Sequence, residues 1–178
     1  DPRLVFGGAG PVSLESLIGP VTVSTDIALN NPTGPFNNLG VPGAKSFHLV
    51  APGYGNVAGV PTGAANPYFA RFASSESATV IGDAAAQNPT FFSLWIGNND
   101  ILSYATSGGA GVDQTGNFDP STYGGNDITD PNVFASVYSQ QVDALTASGA
   151  KGVLVNIPEV TSIPYFTTVP TNAIPLDA

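Results

Sequence analysis

The chain has 178 residues, of which 42% are hydrophobic and 10% charged, a globular composition long enough for one domain with its own core. Its net charge of −9, with four basic residues, argues against nucleic acid or an anionic membrane surface bound through a basic patch. Zero cysteines exclude disulfides, thiolate metal sites and a cysteine nucleophile.

No apolar run reaches the ~18 residues that a membrane-spanning helix needs. The chain opens at Asp1-Pro2-Arg3 without the charged and apolar regions of a signal peptide. It contains no methionine, which predicts a processed or excised chain. Low Lys with abundant Asp, Asn, Thr and Gly is a composition typical of exported proteins.

Residues 1–35 are punctuated by Gly and Pro around short apolar pieces such as Val21-Thr22-Val23, and read as irregular with short strands. Phe36 to Val41 reads as a short strand ending at Pro42-Gly43, and residues 50–65 as loop. From Pro67 to Gln87 the spacing of Tyr68, Phe69, Phe72, Val80, Ile81 and Ala84 predicts a helix. Asn66-Pro67 supplies its cap and first-turn proline, and Asn88-Pro89 closes it. Thr90 to Ile96 follows as a buried, aromatic-rich strand that stops at a Gly97-Asn98-Asn99-Asp100 turn.

Residues 105–130 lack periodicity and read as one long loop. Asp130-Pro131 opens a second helix with an apolar stripe of Phe134, Val137, Tyr138, Val142 and Leu145, and Gly149 sits where a helix C′ glycine belongs. Lys151 to Pro158 reads as a third strand. Strand, helix, strand, helix, strand is the pattern of parallel crossovers and an α/β fold. The sequence has no internal repeat and no domain linker. It stops at Ala178 without the closing helix of a wound sheet, which predicts an incomplete domain.

Three strand ends carry the candidate chemistry. A carboxamide at the end of a central strand sits where open α/β sheets place ligands, and its N–H can meet a developing oxyanion. Asn38-Leu39-Gly40-Val41-Pro42-Gly43-Ala44 ends the first strand, Gly97-Asn98-Asn99-Asp100 the second and Asn156-Ile157-Pro158 the third. Taken together these segments resemble the SGNH/GDSL hydrolases, esterases and lipases on a flavodoxin-like three-layer α/β/α sandwich with a parallel sheet. The resemblance is clearest over residues 36–165 and treats 1–178 as one partial domain. Asn156 to Thr161 is similar to the strand end of envelope-associated, lipase-like bacterial members.

The resemblance implies an oxyanion hole made by the Gly43 backbone N–H and the Asn99 side chain. It implies no cofactor and no metal. The substrate it implies is a carboxylic ester or acyl group, and the setting is secreted or cell-envelope (periplasm or outer-membrane surface), with an envelope protein as a partner. The family's Gly-Asp-Ser nucleophile block and its C-terminal Asp-x-x-His are missing. Ser13 follows Gly10-Pro11-Val12 without the aspartate and is not assigned as nucleophile. Nucleophile and base are therefore unknown, and the chain alone is expected to be inactive. The alternative is a non-catalytic SGNH-like envelope scaffold or accessory protein.

Other residues read more plainly. His48, the only histidine, has no visible carboxylate partner and reads as a structural or surface residue rather than a substitute base. Ser13 and Ser16 read as loop residues. Asp113, Asp119, Asp127 and Asp130 do not match a calcium-loop spacing, and Asp130 is better used as a helix cap. Tyr54, Tyr68, Phe69 and Trp95 read as core or loop anchors.

Overall fold

The computed structural model of the chain describes residues 4–7, 10–13 and 34–167. Ser16, the Val21–Val23 piece and the last eleven residues lie outside them. Strands β1 (Leu4–Gly7) and β2 (Gly10–Ser13) pair as an antiparallel hairpin, so Ser13 ends a strand rather than sitting in a loop. Helix α1 spans Val80–Ala86, β3 Phe91–Leu94, α2 Asn98–Thr106, α3 Pro131–Thr146, β4 Lys151–Leu154, and a last turn of helix, α4, Pro164–Thr167.

The architecture is mixed helix and strand, a partial α/β fold. Its centre is a parallel pair in which Phe91 to Leu94 of β3 align with Lys151 to Leu154 of β4. Parallel neighbours need a long crossover, and α2, the 107–130 loop and α3 provide it. The core gathers Ala44, Leu49, Tyr54, Phe69, Val80, Ile81, Leu94, Ile96 and Leu145. Helix α3 faces it with a regular i, i+4 row, Val133, Val137, Gln141 and Leu145, which packs on the 46–50 turn and α1. Gln141 belongs in that row because its Nε2 donates to the Ser46 carbonyl at 2.8 Å.

Several expected elements differ. Residues 36–41 form no strand, because no neighbouring strand pairs with them. The helix expected over 67–87 is broken into a 3₁₀ turn at Phe69–Arg71 and the short α1. Ser74 binds Asp83 through both its N–H and its hydroxyl, drawing the serine-rich 74–77 segment out of helix. Both caps are present nonetheless: Asn66 Oδ1 accepts from Tyr68 N at 2.8 Å, and Asp130 Oδ1 from Asn132 N and Val133 N at 2.8 and 2.9 Å. The C-cap of α3 is Ala147, so Gly149, at φ +83°, falls one residue beyond C′.

The Gly97–Asp100 stretch begins helix α2 rather than making a turn. Gly97 supports this junction. Its φ is +108°, and a Cβ there would stand 2.6 Å from Ile157 Cδ1 and 2.9 Å from Phe134 Cε2. Strand β3 is half-buried rather than buried. Leu94 and Ile96 point inward, while Phe91 and Trp95 are each 62% exposed. Among the described residues the packing covers β3 on its Leu94 and Ile96 side, while all four residues of β4 are exposed. Tyr68 is likewise exposed, whereas Tyr54 and Phe69 lie in the core as expected. Among the described residues no helix is long and apolar enough to cross a membrane.

Candidate functional site

The two residues marked by the sequence motifs meet through their loops. Val41 closes a tight turn, its carbonyl accepting from Ala44 N at 3.2 Å, and Gly43 within that turn takes φ +77°. Asn99, in the first turn of α2, donates its Nδ2 to the Ala44 carbonyl at 2.9 Å. The carboxamide of one motif is thus bonded to the residue directly after the glycine of the other. Gly43 is exposed, and its N–H has no partner among the described residues. Asn99 Nδ2 keeps a second hydrogen beyond the one given to Ala44. The Ala44 bond thus sets the Asn99 carboxamide, in the first turn after β3, beside the turn that carries the Gly43 N–H.

A buried clasp holds these loops together, centred on Asp100 of the Gly97–Asp100 motif, whose partners lie far along the chain. Asp100 is 3% exposed. Its carboxylate accepts from Ser46 N at 2.9 Å and from Ser46 Oγ at 2.7 Å. Burial raises the Asp100 pKa, and the Ser46 hydrogen bonds with the Lys45 charge oppose that rise. Lys45 is buried too, its Nζ donating to the carbonyls of Asp127 at 2.7 Å and Gly124 at 3.3 Å. Burial lowers its pKa, against the charges of Asp100 and Asp127. Lys45 therefore ties the long loop to the motif turn. Ser46 is fully buried with its hydroxyl committed to Asp100, so no substrate reaches that oxygen.

His48 is structural. Its Nδ1 accepts from Lys45 N at 3.0 Å, and its ring stacks on Tyr54 with centroids 4.5 Å apart. Burial, then the Lys45 charge, pushes its pKa down to about 4, so it is neutral at pH 7. With Nδ1 accepting a bond, the ring proton sits on Nε2.

The four loop carboxylates brace the loop. Asp113 accepts from Thr115 and Asp119 from Ser121. Asp127 accepts from Val112 N, Gly124 N and Gln114 Nε2. Asp130 caps α3 and also takes Gly116 N at 2.8 Å. These bonds hold all four below the usual carboxylate range.

Comparison with known proteins finds no matching family model, no matching curated protein and no matching solved structure.

Proposed function

We propose that this chain is the central part of a serine ester hydrolase of the SGNH type, lipase- or acylhydrolase-like, built on a flavodoxin-like α/β/α sandwich and exported or held in the cell envelope. The observation that supports this reading is the hydrogen bond from Asn99 to Ala44, which sets the Asn99 amide beside the Gly43 turn. In this mechanism a serine from a segment that the 178-residue sequence does not include attacks the ester carbonyl. Charge collects on the carbonyl oxygen, where Gly43 N–H and the second Asn99 N–H receive it. A base supplied with that segment takes the serine proton. His48 does not fill that role, since its Nδ1 is occupied and its pKa lies at about 4.

A second reading is a non-catalytic envelope scaffold with the same fold. It is favoured by Ser46, the serine bonded to a carboxylate next to the motif turn, being sealed in the core. Ester hydrolysis separates the two readings. The 178-residue chain is expected to leave p-nitrophenyl butyrate intact. The complete reading frame containing it is expected to hydrolyse that ester, and Asn99→Ala there is expected to lower kcat about 100-fold, as for removal of one oxyanion donor. An inactive complete protein would favour the scaffold. Undiminished activity in Asn99→Ala would remove Asn99 from the mechanism.

A further inference from the structure

The turn that carries Gly43 has the geometry of a type II turn. The Val41 carbonyl accepts from Ala44 N at 3.2 Å, Pro42 holds the second position, and Gly43 at the third takes φ +77°. Types I and II differ in which way the central peptide faces, here the peptide that joins Pro42 to Gly43. A peptide unit is planar and trans, so its C=O and N–H point in opposite directions. Whatever holds the Pro42 carbonyl therefore aims the Gly43 N–H.

Asn66 holds that carbonyl. Its Nδ2 donates to the Pro42 carbonyl at 3.0 Å, across 24 positions, and to Tyr54 Oη at 3.0 Å. Both hydrogens of the nitrogen are thereby used. Its Oδ1 accepts from Tyr68 N at 2.8 Å. A backbone N–H at that end of the carboxamide requires oxygen there, which leaves the nitrogen facing Pro42. The Asn66 main chain is tied down as well, its N–H donating to the Tyr54 carbonyl at 2.8 Å. Tyr54 is itself buried, and its ring stacks on His48 with the planes 10° apart. His48 Nδ1 in turn accepts from Lys45 N, one residue beyond Ala44. A chain of contacts thus runs from Lys45 through His48, Tyr54 and Asn66 to Pro42 and closes around Gly43. Capping alone does not explain Asn66. A cap needs only the oxygen, which serine or aspartate supplies as well, and neither supplies the N–H that Pro42 receives.

We propose that Asn66 is a positioning residue for the oxyanion donor: by holding the Pro42 carbonyl it keeps the Gly43 N–H turned the other way, free for a substrate oxygen. This inference rests on the hydrolase reading, which assigns that N–H to the oxyanion.

Asn66→Ser tests it, because serine keeps a capping oxygen and loses the nitrogen. In the 178-residue chain the variant is expected to keep its urea midpoint nearly unchanged. The residual dipolar coupling of the Gly43 N–H, read by NMR, is expected to shrink relative to those of Val41 and Ala44, since the peptide gains freedom to rotate. An unchanged Gly43 coupling in the folded variant would overturn the proposal. In the unaltered chain a scalar coupling is expected across the hydrogen bond, between Asn66 Nδ2 and the Pro42 carbonyl carbon. Its absence refutes the proposal whether or not the variant folds. In the complete reading frame, Asn66→Ser is expected to lower kcat for p-nitrophenyl butyrate about 10-fold with KM unchanged, the mark of an interaction made only in the transition state. A merely structural cap leaves kcat where it was, and that result removes the positioning role alone. An unaltered complete protein without activity removes the hydrolase reading instead.

Discussion

The Asp100 carboxylate serves two donors on Ser46 and faces the buried charge of Lys45. Removing it strands the Ser46 N–H and hydroxyl in the core, each costing on the order of 1–3 kcal/mol when buried without a partner. Asp100→Ala is therefore expected to destabilise the chain by about 3 kcal/mol, read as a lower urea midpoint, and Ser46→Ala by about 1 kcal/mol, since it removes only one donor. Equal losses for the two variants would mean that the clasp is not centred on Asp100. His48 makes a pH prediction. Its native pKa is about 4 against an ordinary 6.5, so between those values the unfolded chain binds the extra proton. Stability from this group is then complete above pH 6.5 and is lost as pH falls toward 4, an effect of about 3 kcal/mol. Urea midpoints at pH 7, 5.5 and 4.5 are expected to fall more steeply for the unaltered chain than for His48→Gln. Parallel profiles would show that His48 keeps its ordinary affinity for protons.

At the scale of elements, the junction of β3 and α2 turns on Gly97. Alanine there meets two penalties, a left-handed φ of +108° and a Cβ overlapping Ile157 and Phe134. Gly97→Ala is expected to cost about 2–4 kcal/mol and to shift the start of α2, lowering the thermal midpoint and moving the Asn99 and Ala44 NMR signals together. The same junction shows what the sequence conceals. Asn66-Pro67 and Asp130-Pro131 were legible as caps because the acceptor and its amides lie within three residues of each other. Gly97–Asp100 reads as a turn because its glycine and short polar groups suit both a turn and a helix start. The half-buried Ile101, Leu102 and Tyr104 leave α2 without a sharp apolar stripe. Residues 36–41 have strand composition, but a strand needs a neighbour, and composition does not supply one. Gly43 and Asn99 were legible through their local motifs. The clasp around them was not, because Ser46 meets Asp100 across 54 positions, Lys45 meets Asp127 across 82 and Gln141 meets Ser46 across 95.

For the whole molecule, the decisive feature is a parallel pair packed only along the inward side of β3. Phe91, Trp95 and Val153, on the face opposite Leu94, are each half exposed or more, an apolar surface larger than scattered single residues leave. Trp95 is the only tryptophan, so its fluorescence reports on this face alone. At 62% exposure its indole meets water, and its dilute-solution emission is expected close to that of free tryptophan, with acrylamide quenching nearly as efficient. A blue-shifted, poorly quenched emission would show that the outer face is covered. Dilution then identifies the cover: a shift back toward the red means a second copy, whose binding follows mass action. A spectrum independent of concentration means a segment of the same chain.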